Sequence, residues 1–135
     1  MDYYDQNKNI RAELLDREAY NQAENFIEYF FDRRTQQKKV SSNKSLSSSQ
    51  LRKFFNEFKQ LEKKVNIEGF EKVKPLIKMV KSKASYASKK IHPEFKKFLI
   101  GHVDKINTDR DFKAFMLHFE AVVGFFYGFE GIKNN

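Results

Sequence analysis

A chain of 135 residues is long enough for one domain with a substantial core. Its 15 Phe and six Tyr make that core aromatic, and the absence of Cys excludes a disulfide framework, a thiolate zinc site and a thiol nucleophile. The net charge of +8 is uneven: residues 1–37 carry 5 basic and 8 acidic side chains, residues 38–97 carry 17 and 5, and residues 98–135 carry 4 and 5.

All of the positive excess therefore lies in the middle of the chain. A localised field of that sign attracts nucleic acid, anionic lipid or an acidic protein. A solvated lysine surface is the competing reading. The opening MDYYDQNKNI is polar, with no basic-then-apolar leader, which argues for a cytoplasmic protein over a secreted one. The longest apolar run, Phe112 to Phe129, carries Lys113, His118, Glu120 and two Gly. A spanning helix needs about 20 mostly apolar residues, so a membrane anchor is disfavoured.

In chain order, the spacing predicts five helices. The first runs from about Ile10 to Arg33, with Ile10, Leu14, Ala19, Ala23, Phe26, Ile27, Phe30 and Phe31 on one stripe. RRTQQKKVSSNKSLSSS follows and reads as a flexible basic loop over 34–46. Ser47 with Gln50 has the pattern of a capping box and opens the second helix, which carries Leu51, Phe54, Phe55, Phe58, Leu61 and Val65. Gly69 breaks it. The third segment reads as a short turn and then a helix from Pro75, with Leu76, Ile77, Val80, Ala84 and Ala87 inward. Pro93 starts the fourth, whose stripe is Phe95, Phe98, Leu99, His102, Val103 and Ile106. Thr108 with Asp111 caps the fifth, which carries Phe112, Phe115, Met116, Phe119, Val122, Val123 and Phe126. No strand alternation of useful length is visible. The expected fold is all-α, a compact bundle of about five helices in one domain, with mobile ends at 1–9 and 132–135.

Little in the sequence suggests catalysis. His92, His102 and His118 form no metal-binding spacing, although His102 and His118 could meet in space. Asp104, Asp109 and Asp111 could suggest a metal-dependent nuclease, but acids at a helix N-terminus are explained by the helix dipole. No glycine-rich phosphate cradle or GxSxG elbow is present. Glu120, alone in an apolar run, is either exposed or paired, because nothing near it in sequence could share acid–base work. Gly124 and Gly128, a turn apart, suggest close approach by another helix. No cofactor and no metal are expected.

Lysine dominates the positive side. Arg52, Lys53, Lys59, Lys63 and Lys64 decorate the second helix, and Lys74, Lys78, Lys81, Lys83, Lys89 and Lys90 the third segment. Lys74, Lys78 and Lys81 fall at i, i+4 and i+7 and make a cationic ridge. Lysine meets phosphate as a point charge, so such a ridge predicts sequence-independent, salt-sensitive binding.

Three blocks carry a family resemblance. SSSQLRKFF (47–55) looks like a threonine-threonine-serine-lysine-leucine-arginine helix opener. LIKMVKSKASYASKK (76–90) is similar to a basic-apolar motif ending in tyrosine and then arginine. DFKAFMLHFEAVVGFFYGFEG (111–131) is similar to a terminal block containing EA, a tyrosine and a closing pair of glycines. In order, they resemble the small subunit of type III-A CRISPR effector (Csm) complexes over about residues 15–131. The resemblance implies a non-catalytic subunit stacked in several copies along guide RNA and target RNA, opposite larger backbone subunits that cut the target. It makes 118–130 the terminal core helix and Glu120 a structural residue. It carries a backbone-contact role to Arg52, Lys81 and Lys90, with Lys53 and Lys89 beside them; the lysine-rich third segment itself offers Lys74, Lys78 and Lys83 as further contacts. Departures are Ser47 and Ser48 in place of threonines, Gln50 in place of lysine, Ala114 and Leu117 where arginine is frequent, and Lys89 in place of glycine. The implied partners are the two RNAs, the other subunits and further copies of this chain, with weak homodimerisation in isolation. The alternatives are a free-standing basic helical nucleic-acid-binding protein and the small subunit of a type III-B complex.

Overall fold

The computed structural model describes residues 3–87 and 91–129. Among them are a 3-10 turn at Ala12–Leu15 and six helices: α1 (Arg17–Glu24), α2 (Ser48–Glu68), α3 (Phe70–Lys78), α4 (Val80–Tyr86), α5 (Pro93–Lys105) and α6 (Asp109–Tyr127). A two-stranded antiparallel hairpin, β1 (Tyr29–Asp32) and β2 (Gln37–Val40), sits between α1 and α2. The class is all-α, as the periodicity predicts.

The three helices with the clearest stripes form where expected. Leu51, Phe54, Phe58, Leu61 and Val65 are buried on α2; Phe95, Phe98, Leu99, His102 and Val103 on α5; Phe112, Phe115, Met116, Phe119, Val122 and Phe126 on α6. Their caps follow the sequence too. The Ser47 hydroxyl accepts from the Gln50 amide, and Thr108 with Asp111 closes a full capping box. Gln50 does not complete its half: its Oε1 is buried without a partner. Gly69 ends α2 with φ +95°, a conformation costly for any residue with a Cβ.

The first expected helix is the main correction. It stops at Glu24, and Asn25–Glu28 leads into the hairpin. Phe26 and Ile27 stay in the core, but Phe30 and Phe31 leave the stripe and are exposed. Residues 34–46, read as a loop, hold the turn, β2 and the return to α2. The N-terminal stretch contributes Tyr3, 4% exposed, to the core.

The third segment differs as well. Its helix begins at Phe70, not Pro75, because Phe70, Val73 and Ile77 form a buried stripe whose packing outweighs the proline. Pro75 lacks the amide that would bond back toward Glu71. The helical path then breaks at Met79, separating α3 from α4. Leu76, expected inward, is 40% exposed. Gly124 does not receive a neighbouring helix: nothing lies within 4 Å of where its Cβ would be.

The core is a mesh of rings. Phe119 on α6 meets Phe55 (5.1 Å between centroids) and Phe58 (6.0 Å) of α2, Phe98 (5.2 Å) and Phe95 (6.2 Å) of α5, and Phe115 (5.6 Å) one turn back. Phe26 adds edge contacts to Phe95 and Phe98, which hold the N-terminal segment down. At one end of the mesh, His102 and His118 lie 5.1 Å apart. The Tyr3 hydroxyl is 2.8 Å from His102 Nδ1. His118 Nδ1 donates to the Leu14 carbonyl, which fixes its proton on that nitrogen.

Burial pushes the His102 pKa down to about 3, and the neighbouring His118 adds to that; burial also lowers His118. Both imidazoles are therefore neutral in the folded protein at pH 7. A base with a depressed folded pKa gives full stability above its unfolded pKa, and loses it as pH falls toward the folded value. Acidification from pH 6.5 to 4.5 should cost about 2–3 kcal/mol through His102 alone. Denaturant titrations at both values check this, and His102→Asn should flatten the difference. Phe119→Ala should cost about 3–5 kcal/mol in the same assay.

Candidate nucleic-acid interface

The apolar stripe of α2 decides where its cations go. With Leu51, Phe54 and Phe58 turned inward, Arg52 and Lys53 fall on the outer side, and both are exposed. Neither has a carboxylate partner among the described residues. Facing Lys53 across a groove of 310 Å³ is α4, and Lys53, Glu57, Ser82, Lys83 and Tyr86 line that groove. Lys83 pairs with Glu57 across it. Tyr86 is 94% exposed.

The expected ridge of Lys74, Lys78 and Lys81 is interrupted by the break at Met79. Lys78 Nζ donates to the Val103 carbonyl (2.7 Å) and to Asn107 Oδ1 (3.3 Å), at the C-terminal end of α5. Such a position suits a cation, because the last carbonyls of a helix carry partial negative charge. Burial pushes the Lys78 ammonium below the ordinary lysine range, and Lys74 beside it adds to that. Lys81 binds Asp104 at 2.6 Å, and this hydrogen bond holds the Asp104 carboxyl below the usual range. Lys78 therefore ties α3 to the end of α5, while Lys81 reaches α5 only through an exposed ion pair. Lys74 is half-buried and has no hydrogen-bonding partner among the described residues.

Of the residues singled out from sequence, Lys53 and Lys83 come together at the α2–α4 groove, and Arg52 is exposed on α2 outside its lining. Lys78 and Lys81 face α5, and Lys89 and Lys90 lie outside the described residues. Sequence reasoning noted Tyr86 only within the second family block and gave it no contact role, although it sits off the Ile77, Val80, Ala84 and Ala87 stripe and is exposed. Arg33, Arg34, Lys38 and Lys39 were also missed as a group, because the hairpin that gathers them was read as helix and loop.

The structure places each of the catalytic candidates. Glu120 is exposed on α6. Asp104 pairs with Lys81, Asp109 with Lys113 (3.1 Å), and Asp111 accepts from the Asn107 and Thr108 amides at the start of α6. His92 caps α5: its Nδ1 accepts from the Glu94 amide (3.1 Å) and its Nε2 meets Glu28 Oε2 (2.6 Å). His102 and His118 do meet, but each spends a nitrogen on a core partner. No group of three or more His, Cys, Asp or Glu suited to a metal occurs among the described residues. No described helix is long and apolar enough to cross a membrane.

The sequence model of the Csm2 type III-A family matches residues 24–131. The chain belongs to that family. It is thus a small subunit of a type III-A CRISPR (Csm) effector complex, which favours type III-A over the type III-B alternative. No match was found among curated proteins or among solved structures. The Csm2 match takes in the hairpin and α2 to α6, so the cationic groove and the terminal block both lie inside it. The 3-10 turn and all but the last residue of α1 lie before it, yet Leu14 and Ala19 are fully buried there. In this member of the Csm2 family, the preceding segment completes the core.

Lysines with anchoring and non-anchoring roles should separate on substitution. Lys78→Met should lower stability by about 1–2 kcal/mol through its lost hydrogen bonds. Arg52→Gln should change it by less than about 0.5 kcal/mol. Urea denaturation of the two variants distinguishes them.

Proposed function

We propose that this Csm2 subunit holds the backbone of the guide RNA–target RNA duplex without reading its sequence, through Lys53 and Lys83 at the α2–α4 groove and Arg52 on the exposed side of α2. Lys74, Lys81, Lys89 and Lys90 extend the contact surface, and Lys78 serves mainly to fix the helices. The observation that carries this reading is the two-sidedness of α2: a continuous apolar stripe within, and exposed, unneutralised Arg52 and Lys53 without. Cations kept free of carboxylates on a rigid helix are preorganised for phosphate, and lysine-rich faces position a backbone without selecting bases. The Lys81–Asp104 pair is exposed, so it contributes little to stability and exchanges readily for a phosphate.

One copy makes few phosphate contacts and binds weakly. Several copies along one duplex, joined to the other effector subunits, bind tightly through effective concentration. The subunit contributes no chemistry to target cleavage, consistent with the separate structural duties of its acids and histidines. It acts in the cytoplasm, where the guide RNA is.

Two experiments test this. The full chain should bind RNA duplexes of different sequence with similar affinity, falling steeply as salt rises. The variant R52Q/K53Q/K83Q should weaken all of them about equally, with a salt slope shallower by roughly 0.7–0.9 for each phosphate that is no longer neutralised. Unchanged affinity in that variant would refute the assignment of the face. In a reconstituted effector, Glu120→Gln should leave target RNA cleavage at the wild-type rate; loss of cleavage with intact assembly would overturn the non-catalytic role.

A further inference from the structure

The β1–β2 hairpin has features that a duplex-backbone site does not require. A two-stranded ribbon is marginal alone and ordinarily packs one apolar face on the body of its protein. Phe30 and Phe31 are successive residues of β1, so they point to opposite faces of the ribbon. They are 49% and 59% exposed, so each face presents an open ring toward the tip, while Tyr29 and Val40, on the Phe31 face, pack against the core at the root. The register sets Lys39 opposite Phe30 and Lys38 opposite Phe31, so each open ring is matched with a cation. Lys38 Nζ lies 4.4 Å over the Tyr29 ring, which holds that ammonium on the aromatic side. The turn adds Arg33 and Arg34, both exposed.

The root of this arm is fixed. The Ser41 amide donates to the Glu28 carbonyl (2.7 Å), the Glu28 amide to Ser45 Oγ (2.8 Å), and the Leu46 amide to the Phe26 carbonyl (2.9 Å). The ribbon therefore leaves the bundle at a set angle.

The chemistry selects the occupant. Residues 29–40 hold four cations and one carboxylate, Asp32, which is already paired with Lys39 at 3.0 Å. That balance suits a polyanion. A fully paired duplex offers the rings nothing, because its bases are already stacked on one another. An unpaired strand offers a base face and a phosphate at each step. A protein partner fits less well, since interface cores are depleted in lysine. Rings facing opposite ways accept one base on each side, so the ribbon stands between two bases as a wedge.

We infer that the hairpin binds single-stranded RNA, with Phe30 and Phe31 stacking on unpaired bases and Arg33, Arg34, Lys38 and Lys39 holding the adjoining phosphates. This rests on the RNA-binding role proposed above and adds to it a second site, with a different preference.

Fluorescence binding of the full chain to a U12 strand, a 12-bp RNA duplex and a dT12 strand tests it. The variant F30T/F31T, which keeps strand propensity, should weaken U12 binding by roughly tenfold or more and leave the duplex unaffected. A 2-aminopurine placed in the RNA strand should be quenched by wild type and not by F30T/F31T. The variant F30Y/F31Y, which retains both rings, should restore binding and quenching. Wild-type affinity of F30T/F31T for U12 overturns the inference, and does so most clearly if sedimentation shows that the same variant loses self-association, which would make the arm a contact between copies. Equal loss on dT12 and U12 overturns the assignment to RNA. If R52Q/K53Q/K83Q abolishes duplex binding while F30T/F31T behaves as wild type, the helical face stands and the hairpin site falls. The reverse pattern keeps the hairpin site and removes the face.

Discussion

Phe119 is where the bundle is tied together. Its ring touches side chains from α2 and α5 as well as its own helix, so three of the longest elements share one contact centre. Aromatic pairs have preferred geometries, mostly edge-to-face here, and a mesh of them resists sliding more than an aliphatic core does. The orientation of α2 follows from this mesh. So does the outward placement of Arg52 and Lys53, because the residues between them and the core are fixed by Phe54, Phe55 and Phe58. An aromatic-rich composition without Trp or Cys is thus a structural commitment: stability rests on ring packing in a one-third charged chain, with no covalent staple.

What the sequence disclosed depended on whether one face of an element is buried. On α2, α5 and α6 the stripe and the capping residues agree, and their positions were legible. The hairpin was not. Strand alternation appears only where one face is in and the other out, and Phe30 and Phe31 are both out. Their spacing from Phe26 and Ile27 also matches a helical step, so the helix template absorbed them. The actual break lies at Asn25–Glu28, where Phe26 and Ile27 enter the core in a non-helical path, a tertiary decision that local spacing does not carry.

The candidate site was legible in type but only partly in detail. That the middle of the chain is cationic, and that α2 turns cations outward, follows from charge count and periodicity. Which lysines are committed elsewhere does not. Lysine has a four-carbon stem, and Lys78 and Lys81 use it to reach Val103 and Asp104, more than 20 residues away in sequence. The helical wheel that lined them up with Lys74 also assumed an unbroken helix through Met79. Tyr86, by contrast, was readable from its place off the stripe, but an exposed tyrosine carries no signal until its surroundings are known.

His92 joins two parts of the molecule that are distant in sequence. One ring nitrogen seats the first turn of α5, and the other grips Glu28 at the root of the hairpin. The arm is thus cantilevered from the helix bundle through an imidazole. Its direction is settled when the chain folds, so little orientational freedom remains to be lost on meeting a partner. In the stacked assembly proposed above, such a fixed projection would give every copy's arm the same height and angle, and the spacing of the copies would become the spacing of the arms.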